Sequence, residues 1–370
     1  MARVRFTLEA EDPVGARAGI LHTPHGDVPT PTFMPVGTLG AVKTLTQEDL
    51  EAIGYRLVLA NTYHLWLRPG VKTIERAGGL GRFMAWPLAL LTDSGGYQVM
   101  SLCEFRKVSE EGVLFRSHLD GDQHMLTPES VTEVQRRLGV DIGMALDECP
   151  PYPCTRDEAA EAADRTARWA ERCLSARSED QTLFGIVQGG VYEDLRRESV
   201  ERITRMDFDG FAIGGVSVGE PTELQRPVVR TTAHLLPPDR PRYLMGVGQP
   251  SDILHAVAFG VDMFDCVLPT RGGRHNVVYT PTGRADITNK SFEERFGPLC
   301  ESCTCAVCAR YSAAYIRHLC RMKESTGARL LTYHNLHYYF RLVADARQAI
   351  VEGRYAAYLS ETLQRLGETG

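Results

Sequence analysis

Met263-Phe264-Asp265-Cys266-Val267-Leu268-Pro269-Thr270-Arg271 decides how the chain is read. A short apolar run carries one acid near its end and closes on a Pro-Thr-Arg turn. A run this short and this apolar suits a buried parallel strand. An isolated buried carboxylate costs several kcal/mol or more unless it is paired or used. The plain alternative is an Asp that only caps the following turn. Repetition upstream weighs against that alternative.

Seven earlier runs follow the same pattern. Together with 263–267 they cover 32–36, 56–60, 88–92, 142–146, 183–187, 211–213 and 243–247. Each ends in small or polar residues, and helical stretches separate them. Thr127-Pro128 opens one helix, with Thr as N-cap and Pro in the first turn; Thr155 opens a longer, Ala-rich one that runs to about Ala176. Eight strand–helix units predict an α/β fold, a (β/α)8 barrel. A doubly wound open sheet is the rival, because periodicity does not show closure. Ahead of the barrel, 4–8 and 18–23 alternate like strands, with Gly26-Asp27 as a turn, which predicts an N-terminal β-hairpin. Between the third and fourth strands, 113–119 and 124–126 flank Asp120-Gly121, the signal of an inserted hairpin. The expected organisation is a single barrel domain over 1–370, with a metal-binding subdomain at about 291–350.

Composition narrows the function. The 370 residues are 43% apolar and 24% charged, as in a globular protein, and no run of about 18 apolar residues offers a membrane span. No apolar signal region follows Met1, so the expected location is cytoplasmic. The net charge of -6 argues against non-specific nucleic-acid binding by the whole surface. The charge is uneven, however. Residues 271–347 hold 12 Lys and Arg against 6 Asp and Glu. A basic face that starts at Arg271, beside Asp265, suits a polyanionic substrate. A merely solvated basic surface is the alternative.

Catalytic groups of such barrels sit at the C-terminal ends of the strands. The second strand leads into Asn61-Thr62-Tyr63-His64 and the third into Asp93-Ser94-Gly95-Gly96-Tyr97-Gln98. The fourth leads into Asp147-Glu148-Cys149, the fifth into Gln188-Gly189-Gly190 and the sixth into Gly214-Gly215. Met245-Gly246-Val247-Gly248 ends the seventh. Three carboxylates, an amide and several glycines therefore converge on one mouth. Glycines let a flat ligand approach the backbone. Tyr97 and Met245 are placed to sandwich a ring, and an acid with Gln188 suits the polar edge of a nucleobase. Each of these residues has a structural alternative, as turn residue, N-cap or loop tie; their joint placement favours function. Two acids with separate roles point to glycosyl chemistry: one nucleophile and one acid/base.

Ten cysteines are present, and Cys300, Cys303, Cys305 and Cys308 lie within nine positions. Cys303-Thr304-Cys305-Ala306-Val307-Cys308 is C-x-C-x2-C. His334 is the best fourth ligand; Cys300 and His337 are rivals. Three thiolates and an imidazole make a closed tetrahedral zinc site of the structural kind, with no position left for a catalytic water.

These residues together resemble the bacterial queuine tRNA-ribosyltransferase (tRNA-guanine transglycosylase) family over nearly the whole chain. The resemblance rests on Asn61-Thr62-Tyr63-His64-Leu65, Asp93 to Gln98, Asp147-Glu148-Cys149, Gln188-Gly189-Gly190, Met245 to Gly248, Asp265 to Arg271, the cysteine cluster and His334-Asn335-Leu336. It implies exchange of guanine at the wobble position of certain tRNAs for 7-aminomethyl-7-deazaguanine. It implies Asp265 as nucleophile and Asp93 as proton acceptor and donor. Asp93, Ser94, Gly95, Gly96, Tyr97, Asp147, Gln188, Gly215 and Met245 are the implied base-binding set. Gly246, Val247, Gly248, Gln249, Pro250, Ser251, Asp252, Thr270, Arg271, Gly272, Gly273 and Arg274 are the implied contacts to the tRNA anticodon loop. One structural Zn2+ per chain on Cys303, Cys305, Cys308 and His334, a homodimer and no membrane partner complete the expectation. Val216 departs from the Leu that many bacterial members carry there.

Overall fold

The first strand of the barrel is interrupted by its own sequence. Pro35 has no N–H to give a ladder, and the strand divides into Thr32–Met34 and Val36–Gly37. The two pieces serve different neighbours. Thr32–Met34 pairs with the eighth strand, Met263–Asp265, and Val36–Gly37 with the second, Leu57–Asn61. Pro35 still accepts a bond from Leu59 N, at 3.0 Å. The remaining strands, Ala89–Asp93, Ile142–Met144, Leu183–Val187, Gly210–Ile213 and Arg242–Leu244, fill the circuit in sequence order, all parallel. The sheet therefore closes on itself, which decides for the barrel over the open sheet. This computed structural model describes residues 3–103 and 105–368.

Every strand is buried on both faces, so alternation leaves no polar stripe. Met34, Val36, Leu57, Leu59, Leu91, Met144, Ile186 and Met263 belong to one apolar cluster inside the barrel. Their neighbours Phe33, Val58, Ala60 and Leu90 belong to another, between sheet and helices. Val4, Leu21 and Val28 join the inner cluster. The N-terminal sheet thus closes one end of the barrel. It has three strands, Arg5–Glu11, Arg17–Thr23 and Gly26–Thr30, rather than two. Gly26 and Asp27, expected as a turn, instead open the third strand.

Local sequence signals are obeyed elsewhere. Thr127 caps Pro128–Leu138 by accepting from Ser130 N at 3.1 Å, and Thr155 caps Arg156–Ala176. The inserted hairpin pairs Val113–Arg116 with Gln123–Leu126 and recruits a further strand, Arg106–Val108. Near the C-terminus a separate apolar cluster runs from Val278 to Leu331 through Phe292, Cys305 and Ile316. The 27-residue helix Ser325–Val351 ties it to the barrel: Tyr339 Oη donates to Gly248 O at 2.6 Å. No helix among the described residues is long and apolar enough to cross a membrane.

Asp262, fully buried beneath the eighth strand, holds the closed end together. Its carboxylate accepts from Arg17 Nε at 3.0 Å and from Arg242 N at 2.7 Å. Arg17 and Arg242 are themselves buried. Removing one member of such a buried pair typically costs about 3–5 kcal/mol, because it leaves an uncompensated charge. Asp262→Ala is expected to lower unfolding free energy by that order, measured by urea denaturation of metal-loaded protein.

Candidate active site and metal centre

Closure brings the strand ends to one cavity of about 410 Å3. Asp93, Ser94, Gly95, Tyr97, Asp147, Gly215, Met245, Gly246 and Asp265 all line it. A cavity of this size accommodates a small planar ligand.

Asp265 ends the eighth strand. Tyr243 Oη and Gly246 N donate to the same oxygen, Oδ1, at 2.6 and 2.8 Å. No described residue donates to Oδ2. Burial raises this carboxyl above its ordinary value, and the two hydrogen bonds oppose that shift. Asp93 ends the third strand. Its carboxylate accepts from Asn61 Nδ2 and, at 3.0 Å, from Thr62 N. Burial pushes Asp93 up to about 7; the charges of Asp265 and Asp147 add to the rise, and the bond from Thr62 N resists it. Asp147 follows the fourth strand. It accepts from Gln188 Nε2 at 2.6 Å and Ser94 Oγ at 3.3 Å, while burial raises it to about 6. Three acids thus share one desolvated site, with different hydrogen-bond partners, and burial raises all three. A carboxyl raised to about 7, as Asp93 is, suits acid/base work near neutral pH.

Gln188 is fully buried behind Asp147 and spends a donor on it. Gly215, at φ +64°, packs so close that a Cβ there would lie 2.2 Å from Gln188 Oε1. Gly96 is equally constrained: a Cβ would meet Asp147 O at 2.8 Å. Half-exposed Tyr97 and partly buried Met245 line the cavity.

The expected RNA-contact residues divide by exposure. Gln249 and Arg271 are exposed. Val247, Gly248, Pro250, Ser251, Thr270 and Gly273 are buried and hold the segments in place. Asp252 pairs with Arg226 at 2.8 Å. Helix Leu268–Arg274 leans on Ser325–Val351, where a Cβ on Gly273 would meet Thr332 N at 2.6 Å. Neither Arg271 nor Arg274 has an acid partner among the described residues, and Arg274 Nη1 is buried without an acceptor. Both lie on the helix that follows the Asp265 strand.

Some site residues escaped sequence reasoning. Tyr243 sits inside an apolar strand run and reads as core, yet its hydroxyl holds Asp265. Asn61 stood at a strand end, where the same logic that found Asp93 applied. Arg196 carried no signal. It is fully buried in helix Glu193–Thr204, and burial lowers its guanidinium to about 10, so it stays protonated at neutral pH.

The cysteine segment forms a second centre. The ligand atoms of Cys303, Cys305, Cys308 and His334 all lie within 4.8 Å of one another. His334 Nδ1 is 3.7 Å from Cys303 Sγ and Cys305 Sγ and 3.3 Å from Cys308 Sγ. Four such ligands around a tetrahedral ion stand about 3.5–3.8 Å apart. His334 Nε2 donates to Tyr279 O at 2.9 Å, which leaves Nδ1 free for a metal. The four donors fit a metal ion. Cys300 lies outside the cluster, against Ser302, and His337 approaches only Cys303. Stripping the metal with a chelator is expected to loosen residues 278–331 while the barrel remains folded. Hydrogen exchange checks this: uniform deprotection of the barrel would count against a local role.

A family model described as queuine tRNA-ribosyltransferase matches residues 12–368. A protein of Geobacillus thermodenitrificans named queuine tRNA-ribosyltransferase is 54% identical over 355 residues, covering 95% of this chain and 93% of its own length. One of Bacillus subtilis with the same name is 53% identical over 367 residues, covering 99% and 96%. With the closed barrel, the three-acid cavity and the Cys3His cluster, these matches show that the chain belongs to the queuine tRNA-ribosyltransferase family.

Proposed function

We propose that this enzyme exchanges guanine at wobble position 34 of tRNAs with GUN anticodons for 7-aminomethyl-7-deazaguanine, in queuosine synthesis. The observation that carries this reading is the asymmetry of Asp265. One oxygen is held by Tyr243 and Gly246, and the other is free at the cavity with Asp93 nearby.

In this reading Asp265 Oδ2 attacks ribose C1′ of the wobble nucleotide. The C1′–Oδ2 bond forms as the bond from C1′ to the purine ring nitrogen breaks, and the leaving guanine takes a proton from Asp93. The incoming base then gives its ring proton to Asp93 and displaces Asp265 from C1′. Two inversions retain the configuration, and no energy source is needed. A group near 7 both accepts and donates at neutral pH, as Asp93 must. The target nucleotide has to leave its stack to enter the cavity, and an anticodon loop permits that more readily than a duplex. Asp147, Gln188 and Gly215 bind the base edge, with Tyr97 and Met245 on its faces. Arg271 and Arg274 bind loop phosphates.

We assign the metal as Zn2+, on the three-sulfur, one-imidazole donor set. Its closed ligand set gives it a structural role; it holds the basic segment beside the cavity. A homodimer belongs to the same reading and is measurable by sedimentation.

Exchange of radiolabelled guanine into such a tRNA tests the proposal. Wild type should incorporate label and form an RNA–protein adduct stable in denaturant. Asp265→Ala should do neither; a surviving adduct would remove Asp265 as nucleophile. Arg271→Ala should weaken tRNA binding and reduce the slope of log affinity against log salt by about 1. An unchanged slope would place the RNA elsewhere.

A further inference from the structure

A second cavity, of about 460 Å3, lies against the metal centre, bordered by the cysteine segment and by helices Ser325–Val351 and Tyr355–Leu366. Cys303, His334 and His337 all line it. Cys305 and His334 are almost wholly buried. Cys303 and Cys308 are half-buried, and of these two only Cys303 borders the cavity. His337 is not one of the four clustered ligands. It stands three residues after His334 on the same helix, a spacing that puts two side chains on one face. Its Nδ1 is 3.7 Å from Cys303 Sγ, the same distance as Nδ1 of His334. The two imidazoles differ in what else holds them. His334 Nε2 bonds Tyr279 O at 2.9 Å, which fixes that ring. His337 has no hydrogen-bond partner besides Cys303 among the described residues.

An ion that enters by the cavity therefore meets half-buried Cys303 and His337 ahead of buried Cys305 and His334. Passage in steps spares the ion a state with few ligands. Each protein ligand that binds displaces one ligand the ion brought with it, and each thiol gives up its proton to solvent as it binds. Transfer from His337 Nδ1 to His334 Nδ1 leaves Cys303 bound throughout, because both nitrogens lie within reach of its sulfur. The rim of the cavity carries charge as well. Arg341 pairs there with Asp345, while Arg365 has no acid partner among the described residues. The surplus positive charge favours an ion carried by a small anionic donor over a bare cation.

We propose that this cavity is the route by which the metal enters and leaves, and that His337 is a transient ligand passing the ion to and from His334. The proposal rests on the assignment of Zn2+ above. A rival role exists for the same contact: His337 N–H donates to the Cys303 thiolate and tightens the finished site. Kinetics separates the two. A transient ligand lowers the barrier equally in both directions and leaves the affinity unchanged. An outer partner of a ligand changes the affinity itself.

Release of radiolabelled zinc from the loaded full-length protein to EDTA, an anionic chelator, tests this. The equilibrium affinity comes from competition with the same chelator. His337→Ala should slow release by about tenfold, a barrier higher by about 1.4 kcal/mol, with affinity kept within about twofold. His337→Cys puts a metal-binding atom back at that place and should recover most of the rate. Unchanged release in folded His337→Ala overturns the proposal. So does faster release with weakened affinity, the mark of an outer partner, or a change in affinity as large as the change in rate. If His337→Ala fails to fold, His337→Gln decides. Slowed release with affinity kept supports the proposal, and release as fast as wild type or faster overturns it. Wild type that holds no zinc would overturn the metal assignment and this proposal together. Tightly held zinc whose release is indifferent to residue 337 overturns the proposal alone.

Discussion

Closure of the sheet through the broken first strand is the constraint on which the site depends. Met34 pairs with Asp265 on one side, and Val36 with Leu59 on the other. Only a closed circuit brings the ends of the third, fourth and eighth strands around one cavity. There burial raises the proton affinity of Asp93, Asp147 and Asp265 alike, and the charges of Asp265 and Asp147 add to the rise at Asp93. The protein offsets this with specific donors: Tyr243 and Gly246 on Asp265, Asn61 and Thr62 on Asp93, Gln188 and Ser94 on Asp147. Each acid is thus held by a different pair of donors.

The metal centre solves a different problem. Residues 271–347 are rich in cations and bury a small apolar cluster of their own. Four ligands drawn from a short cysteine run and from the long helix Ser325–Val351 join that cluster to the barrel. The same helix supports Leu268–Arg274, where a residue larger than glycine at 273 would collide with Thr332. The metal ligands and the basic loop therefore share one rigid support. Arg271 and Arg274 lie on the short helix that follows the Asp265 strand, and neither has an acid partner among the described residues.

Much of this was legible in the chain. Eight apolar runs with polar ends predict a barrel, because strands buried on both faces carry no alternating stripe. Asp93, Asp147 and Asp265 were found because they stand where apolar runs end. C-x-C-x2-C with His334 was legible because metal-ligand chemistry restricts ligand type and number. Other features were not. The third N-terminal strand read as a turn, since Gly26 and Asp27 carry turn chemistry and tertiary pairing overrides it. Tyr243 read as core, because an apolar ring buried in a strand looks the same whether or not its hydroxyl has a task.

The sequence by itself determined the eight apolar runs of the barrel, the place of each acid and the Cys3His cluster. These are local properties of residue type and spacing. Tertiary structure alone decided that the sheet closes, which oxygen of Asp265 is free and how strongly each acid holds its proton. Those depend on distance across the fold and on exclusion of water, quantities that no stretch of sequence contains on its own.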